Sequence, residues 1–460
     1  MKLFSKLIKK EYLSIQDGDV KLSIFALALP MFFDSICSHL IAMVQTILSS
    51  RYEDGFFVIA LSVPTTVLSV FTTLAGLFST GIGILLSVYL GRKDNELCKK
   101  IICSTLIGGV TFAFFISLIS LIFAEPLLNL MGMNNADYQQ YMPYALQSFR
   151  LRCFFLIITS ASMILNAALR CYGFTKIGLY CGIASNGFNA IATALAMYAF
   201  HMPKDMAVPI LSLITLGSSL LSLAITVIVF RKQKIPFAWN VNGKLLKKVI
   251  KIGLPASISG LFYNLSVTVT SAMCLQLPPA AYLAKNYISQ IVYFTYILGY
   301  SIGQANSLMI GRVCGMGKLD WADRMHKENL KIVLLVNGTL SIIFAILGKP
   351  LMQLFFNADA AVTAYASVFI IDIFVELGRG MNHIGQYGLN ATGDVHFTTF
   401  ISIISCWACS VGLAYVLGIA CGLGLYGLWI AFAIDELFRG ILYFFRWLKK
   451  DWQKRFQQLL

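Results

Sequence analysis

The chain has 460 residues, of which 58% are hydrophobic and only 12% are charged, and its mean hydropathy is +0.75. Soluble domains carry about 25% charged residues, so this composition excludes a soluble domain and predicts a protein with many membrane spans. The net charge of +15 would suit a nucleic-acid partner, and the placement of the basic residues decides that question.

The N-terminal segment, MKLFSKLIKKEYL, is basic and amphipathic, and no small-residue cleavage site follows it. We therefore expect no removable signal peptide and a segment that lies along the inner membrane surface.

Twelve apolar stretches follow, each long enough to cross a bilayer, since a helix needs about 20 residues to span the hydrocarbon. In chain order they lie near residues 22–48, 56–90, 99–124, 138–168, 177–200, 207–230, 249–275, 280–312, 331–357, 361–390, 396–420 and 423–446. Alternating strand patterns are absent, and lipid does not tolerate unpaired backbone groups. The predicted fold is an all-α integral membrane protein with twelve transmembrane helices.

The basic residues alternate between loops. The N-terminus, every second loop and the C-terminus are basic, as in GRKDNELCKK and RWLKKDWQKR, whereas the alternate loops, such as SSRYEDGF and NNADYQQY, are nearly free of Lys and Arg. Cytoplasmic loops carry such an excess. We therefore expect a multi-pass protein of the cell (cytoplasmic) membrane with both termini in the cytoplasm. No aromatic–basic platform accompanies these runs, so we expect no nucleic-acid partner.

Cysteine and glycine motifs predict no cofactor. The eleven cysteines are scattered singly, which favours packing roles over disulfides. Cys406 and Cys409 lie in an apolar span without further zinc ligands, so we expect no metal site. The glycines of GLGLYG lack the preceding strand of a dinucleotide site.

The chain also repeats itself. EPLLNLMGMNNADYQQY at 125–141 resembles KPLMQLFFNADAAVTAY at 349–365, an interval of 224 residues, and LRCYG ending at Gly173 resembles LNATG ending at Gly393, an interval of 220 residues. Six spans per half give both halves the same orientation, so we expect a pseudo-two-fold axis along the membrane normal.

This parallel repeat predicts two pseudo-symmetric six-helix lobes around a central cleft. We place the N-lobe, with spans 1–6 and the amphipathic N-terminus, at residues 1–240. The C-lobe, with spans 7–12 and the basic C-terminal tail, follows at residues 241–460. Such an architecture favours alternating access over a fixed pore.

Six motifs occur in a fixed order along the chain. They read ALALPMFFDSICSHLIAMVQTIL, GIGILLSVYLGRKDNELCKK, ALRCYGFTK, GLPASISGLFYN, SIGQANSLMIGRVCGMGKLDWA and GLNATGDV. Together they resemble the multidrug and toxic compound extrusion (MATE) family, in its NorM/DinF-like bacterial branch, over essentially the whole chain. The resemblance implies a transporter rather than an enzyme. It implies an antiporter coupled to H⁺ or Na⁺ that exports organic solutes and drugs by alternating access.

The cation-site carboxylates of that family are missing at the matching positions. The Val-Asp-Thr of span 1 has Gln45 in place of the Asp, and the Asn and Asp of span 5 are Asn189 and Thr193. A span 7 Glu and a span 10 Asp of one branch fall on Tyr263 and Arg379. Only Asn189 transfers directly. We treat these five residues as candidates for the solute cleft.

Other spans offer acids for coupling, which needs a group whose affinity changes between states. The carboxyl groups within the spans are Asp34, Asp372 and Glu376. Asp34 lies three helical turns before Gln45 on the same helical face, where it can substitute for the missing span 1 acid. In span 7, Asn264 belongs to a polar face that either lines the cleft or joins helices.

Span 10 carries a polar stripe. Asp372, Glu376, Arg379 and His383 follow at steps of four, three and four residues, the spacing of one helical face. A charge at mid-membrane costs about 2.5–3.5 kcal/mol on insertion scales, so such residues find partners and mark function. We interpret the stripe as a proton-handling relay in which Glu376 pairs with Arg379 and His383 accepts protons. The alternative is a structural ion pair.

In span 12, Asp435, Glu436 and Arg439 are expected to pair with cytoplasmic loops rather than to take part in transport.

The loss of acids and the presence of Arg379 argue against a site built only for hydrophobic cations. An anionic aromatic metabolite such as a flavin nucleotide is an alternative solute, because the C-terminal spans look like a family branch associated with such substrates. A flippase for lipid-linked precursors is a further alternative. A membrane enzyme is disfavoured because the five histidines are dispersed. We expect a small organic solute and membrane lipid as partners, and a monomer.

Overall fold

The structure is a computed structural model that describes residues 9–17, 20–51, 56–131, 133, 136–200, 202–237, 239–274, 276–356 and 358–459. Within these ranges, one long helix follows each of the twelve predicted spans. The helices are α1 (Ile24–Arg51), α2 (Phe56–Gly91), α3 (Asn95–Ile122), α4 (Met142–Cys171), α5 (Thr175–Ala194), α6 (Lys204–Lys232), α7 (Gly243–Cys274), α8 (Pro279–Gly315), α9 (Leu319–Phe356), α10 (Val368–Ala391), α11 (Val395–Ser405) and α12 (Gly424–Leu448).

Two of these helices continue with π-helical turns, α5 through Leu195–Ala199 and α11 through Cys406–Leu413 and Tyr415–Ala420. By length and composition, nine helices in the described part of the chain are able to cross a membrane. The other three long helices, α5, α8 and α12, are more polar, and α12 carries three charged residues in its middle. The all-α membrane fold is thereby confirmed.

Short helical segments connect the long helices. They are Ala124–Leu130, Ala136–Tyr141, Ala360–Thr363 and Ala364–Ser367, and a further helix, Asp451–Leu459, follows α12.

The repeated LRCYG and LNATG motifs end α4 and α10 in the same way. Gly173 and Gly393 have φ angles of 90° and 87°, a conformation that glycine adopts without strain. The next residues, Phe174 and Asp394, donate backbone hydrogen bonds of 2.9 Å and 3.0 Å to the carbonyls five residues back. This is the Schellman arrangement that satisfies the last carbonyls of a helix. The repeat therefore encodes the same helix end twice.

The N-terminal segment differs from the expected membrane-surface segment. From Lys10 it forms a 3₁₀ turn (Lys10–Leu13) and an antiparallel hairpin of β1 (Ser14–Asp17) and β2 (Val20–Ser23). Ile15 pairs with Leu22, and both are buried with Tyr12 in a hydrophobic core that includes Trp447. Burial of one apolar face of the hairpin stabilises this packing, so these residues lie against the protein. Residues 1–8 lie outside the described part.

Two compact units make up the chain. The C-unit contains residues 1–32, 87–93 and 258–460, and the N-unit contains residues 33–86 and 94–257. Met309, Trp447 and Phe369 lie in hydrophobic clusters of the C-unit, and Phe149 lies in one of the N-unit. These units follow contacts in space, whereas the division at residues 240 and 241 follows the repeat along the sequence and stays a prediction.

Candidate functional site

Helices α10 and α12 cross at glycines. A methyl group added at Gly378 would lie 2.6 Å from the main-chain nitrogen of Leu437, and one added at Gly440 would lie 2.6 Å from Cβ of Met381. Because no side chain separates the backbones there, polar residues next to these glycines on both helices come within reach of one another.

The side chains around this crossing form an ion cluster, defined by Asp372, Glu376 and Arg379 of α10 and Asp435, Glu436 and Arg439 of α12. The Arg379 guanidinium donates to the Glu376 carboxylate and, over 3.3 Å, to Oε1 of Glu436. Nη2 of Arg439 lies 3.1 Å from the same Oε1 and 2.5 Å from Oδ2 of Asp435. The predicted pairing of Glu376 with Arg379 is present, within a larger network.

Neutral donors satisfy most of the remaining carboxylate oxygens. The bonds run from Asn382 Nδ2 to Glu436 Oε2 (2.7 Å), from Ser405 Oγ to Asp435 Oδ1 (2.5 Å) and from Trp429 Nε1 to Asp372 Oδ1 (3.0 Å). Buried polar groups need such partners, because an unsatisfied group costs the full desolvation penalty.

The charges of the cluster do not balance. It contains four carboxyl groups and two guanidinium groups, and all except Arg379 are almost completely buried. Oε2 of Glu376 is buried and has no hydrogen-bond partner within the described part of the chain. An uncompensated charge is unfavourable in such surroundings. Protons or a bound cation would neutralise the excess, so this cluster has the chemistry of a cation-responsive site.

Aromatic rings cover one side of the cluster. The Arg379 guanidinium lies over the ring of Tyr296 at 5.3 Å, and Arg439 lies over that of Tyr263 at 5.9 Å, within the range of cation–π attraction. The His383 ring lies 5.4 Å from that of Tyr296. Its Nε2 is buried and has no partner among the described residues.

The structure thus brings Asp372, Glu376, Arg379 and His383 together with Tyr263. Asn264 follows Tyr263 on α7, but its side chain is exposed and lies outside the cluster. The functional part of the relay interpretation stays a prediction.

The candidates of spans 1 and 5 lie in the N-unit. On α1, Asp34 faces α5, where a methyl group added at Gly182 would lie 2.2 Å from its Oδ1. On α5, Asn189 accepts a hydrogen bond from Thr193 over 3.3 Å and donates one of 3.1 Å to Ser218. Gln45 belongs to α1, but its side chain lies outside the described residues.

The expected pairing of Asp435, Glu436 and Arg439 with loops is wrong. These residues pair with one another and with α10, because the glycine crossing places them beside Arg379. A sequence signal for this exists: residues 376–380 read ELGRG and residues 436–440 read ELFRG. The recurrence marks the two segments that meet.

Comparisons with known proteins identify the family. The MatE family model matches residues 30–195 and 255–416, more than half of the chain and once in each half. "Uncharacterized transporter YisQ" of Bacillus subtilis is 26% identical over 440 residues, covering 95% of this chain and 96% of that protein. The family-model match confirms the predicted repeat.

Solved structures share the fold. A MATE transporter in the bent conformation superimposes with a TM-score of 0.84 at 16% identity, covering 95% of each chain. A MOP superfamily transporter from Pyrococcus furiosus, described as having a binding pocket of reverse polarity that suggests a different function, has a TM-score of 0.83 at 17% identity, covering 95% of this chain and 96% of that one. The chain therefore belongs to the MatE family and is a multi-pass membrane transporter with small-molecule substrates.

Proposed function

We propose that this transporter is a cation-coupled antiporter that exports organic solutes by alternating access, with the ion cluster of α10 and α12 as its coupling site. The observation that carries the proposal is the charge imbalance of the cluster, in which four buried carboxyl groups face two guanidinium groups.

A coupling site must bind its cation differently in two states of the transporter. The buried excess of carboxyl groups supplies this property, because any change in the exposure of Glu376 or Asp372 to water changes the free energy of the ionised form. A coupling group with equal affinity in both states would drive nothing.

The proton is the coupling ion that the geometry favours. A proton needs only one free acceptor atom, and Oε2 of Glu376 and Nε2 of His383 both lack a partner among the described residues. A metal cation such as Na⁺ would need several oxygen ligands at once, as hard cations do.

The test is solute flux in reconstituted vesicles under three conditions: an imposed pH gradient, an imposed Na⁺ gradient and no gradient. We expect the pH gradient to drive a cationic dye or a flavin uphill against its concentration. Flux driven by Na⁺ alone would replace H⁺ by Na⁺ in the proposal. Solute movement that only ever runs downhill would reject coupled antiport.

An anionic aromatic solute is a second candidate substrate. Arg379 stands where one branch of the family is expected to have an acid, and it lies beside the aromatic rings of Tyr296 and His383. The Pyrococcus furiosus transporter of reverse pocket polarity gives a structural precedent for a different solute class in this fold. Competition between flavin mononucleotide and a cationic dye for the same flux tests this candidate.

We further propose that the protein works as a monomer in the cell membrane with both termini in the cytoplasm. The distribution of Lys and Arg among the loops supports this orientation.

A further inference from the structure

The N-unit contains an arginine deep within a membrane span. Arg152 of α4 donates from Nη1 to Oγ1 of Thr65 on α2 over 2.6 Å, and its Nε is buried and has no partner in the described part of the chain. It lies ten residues after the start of α4 at Met142, or about 15 Å along the helix. That is about half of the hydrocarbon thickness, so Arg152 lies near the middle of its span.

Arg152 occupies the repeat position of the acids in the ion cluster. The two repeat intervals found in the sequence, 224 and 220 residues, carry position 152 to Glu376 and to Asp372. The matches to the family model begin at 30 and 255 and end at 195 and 416, which gives intervals of the same size. With either register, the N-unit has a cation where the C-unit has a carboxyl group.

The contacts of this arginine are also unlike those of the C-unit arginines. Arg379 and Arg439 each contact two carboxylates, whereas within the described residues Arg152 contacts a hydroxyl group. One turn before it on α4, Ser148 shares a hydrogen bond of 3.0 Å with Ser212. The surroundings are hydroxyl-rich and bring no carboxylate to the guanidinium.

A guanidinium at this depth requires a counter-charge. Charged groups inside a membrane normally pair with one another or face an aqueous path, and they mark substrate sites. The planar guanidinium binds phosphate and carboxylate groups through paired hydrogen bonds, and a hydroxyl beside it adds a further donor. Lipid phosphates lie at the edges of the hydrocarbon rather than at its middle, so a solute is the better source of the anion.

We propose that Arg152 and Thr65 form an anion-binding site for the phosphate, sulfonate or carboxylate group of the transported solute. This inference rests on the proposed function, because it assumes that a solute reaches the N-unit, and it deepens it by naming the solute class as organic anions.

The test uses two probes that share one ring system and differ in charge: flavin mononucleotide, which carries a phosphate, and riboflavin, which does not. Initial rates of transport of each are measured in vesicles of phosphatidylcholine and in vesicles that also contain phosphatidylglycerol. The variants are Arg152→Gln, Arg152→Lys and, as a matched control, Arg150→Gln, which removes an exposed arginine from the same helix.

We expect the wild type to prefer the phosphorylated flavin. Arg152→Gln should reduce its transport by about 10- to 100-fold, the worth of a charge-assisted hydrogen bond, and should change riboflavin transport less than about twofold. Arg152→Lys, which keeps the charge but not the paired donors, should fall between them. Arg150→Gln should behave as the wild type. Size-exclusion profiles of the purified variants identify any that misfold, and Arg152→Lys then carries the test.

Three results would overturn the inference. They are a wild type without preference between the two flavins, an Arg152→Gln variant that loses both transport rates equally, and a loss that appears only with phosphatidylglycerol, which would assign the site to a lipid headgroup. Dye flux driven by the pH gradient is measured in the same vesicles. Its persistence beside any of these results would reject the anion site alone, whereas its absence from the wild type would reject the proposed function.

Discussion

Arg439 holds two buried carboxylates at once, those of Asp435 and Glu436, and it is itself almost completely buried. Arg446, two turns further along α12, also bridges two carboxylates, those of Asp394 and Asp451, at 2.7 Å and 2.8 Å. Its side chain is 20% exposed and that of Asp451 is 41% exposed. The two arginines therefore separate the effect of burial from the effect of pairing.

Replacement of Arg439 by Met should lower the free energy of unfolding by about 3–5 kcal/mol, because it leaves two carboxylates buried without their counter-charge. Arg446→Met should cost about 1 kcal/mol or less, since water solvates partly exposed partners. Thermal unfolding of the purified variants in detergent measures both. Equal losses in the two variants would show that burial does not set the energetics of the cluster.

At the scale of elements, hydropathy placed the long helices within a few residues of most of their observed limits, because the length of an apolar run is a local property. The stripe on α10 was visible for the same reason, since helical spacing is local. The contacts of α12 were not, because they depend on the glycine crossing near Gly378 and Gly440. The N-terminal hairpin was also missed: its strands have four residues each, and packing against the core determines them.

Gly378→Ala should reduce the free energy of unfolding by about 1–3 kcal/mol, because the added methyl group overlaps the backbone of α12. The matched control is Gly187→Ala on α5, where nothing lies within 4 Å of the added methyl group. Alanine has the higher helix propensity, so the control should be unchanged or more stable by up to about 1 kcal/mol. A destabilised control with an unaffected Gly378→Ala would contradict the close crossing.

The C-terminal helix Asp451–Leu459 is held by an aromatic stack. The ring of Trp447 lies 3.7 Å from that of His326 and 4.4 Å from that of Trp452, and its Nε1 donates to Asp323 over 2.9 Å. Trp447 and Trp452 are fully buried. The stack therefore fixes the C-terminal helix to the C-unit.

Trp452→Ala should lower the free energy of unfolding by about 3–5 kcal/mol, the usual loss when a buried large aromatic is truncated. Trp239, which is 81% exposed, provides the control, and Trp239→Ala should change stability by about 0.5 kcal/mol or less. Unfolding curves of both variants decide the point. A Trp452→Ala variant as stable as the control would mean that the C-terminal helix contributes nothing to the stability of the C-unit.

At the scale of the whole molecule, the two halves share helix ends and span order but differ in charge. Arg152 stands at the repeat position of the span 10 acids, and the acids of the ion cluster lie in the C-unit. The duplication was readable from sequence because its motifs are local. The division of labour between the halves was not, because it depends on which groups meet in space.

The orientation of the molecule is testable with reporter fusions. Alkaline phosphatase fused after Leu460 should be inactive, because the basic loops predict a cytoplasmic C-terminus. The same enzyme fused after Leu277, in the basic-poor loop between α7 and α8, should be active. Green fluorescent protein at the same two positions should give the opposite pattern. Activity of phosphatase at both ends of this comparison would reject the proposed topology.

The central claim is that the ion cluster couples cation movement to solute movement. The most direct measurement compares solute accumulation driven by a pH gradient with solute exchange in the absence of a gradient, in vesicles of the wild type, Glu376→Gln and the control Glu125→Gln. Glu125 is exposed, and Gln keeps the shape of the side chain. The account predicts that Glu376→Gln loses accumulation while it retains exchange, and that the control retains both. Accumulation by Glu376→Gln at the wild-type level would contradict it.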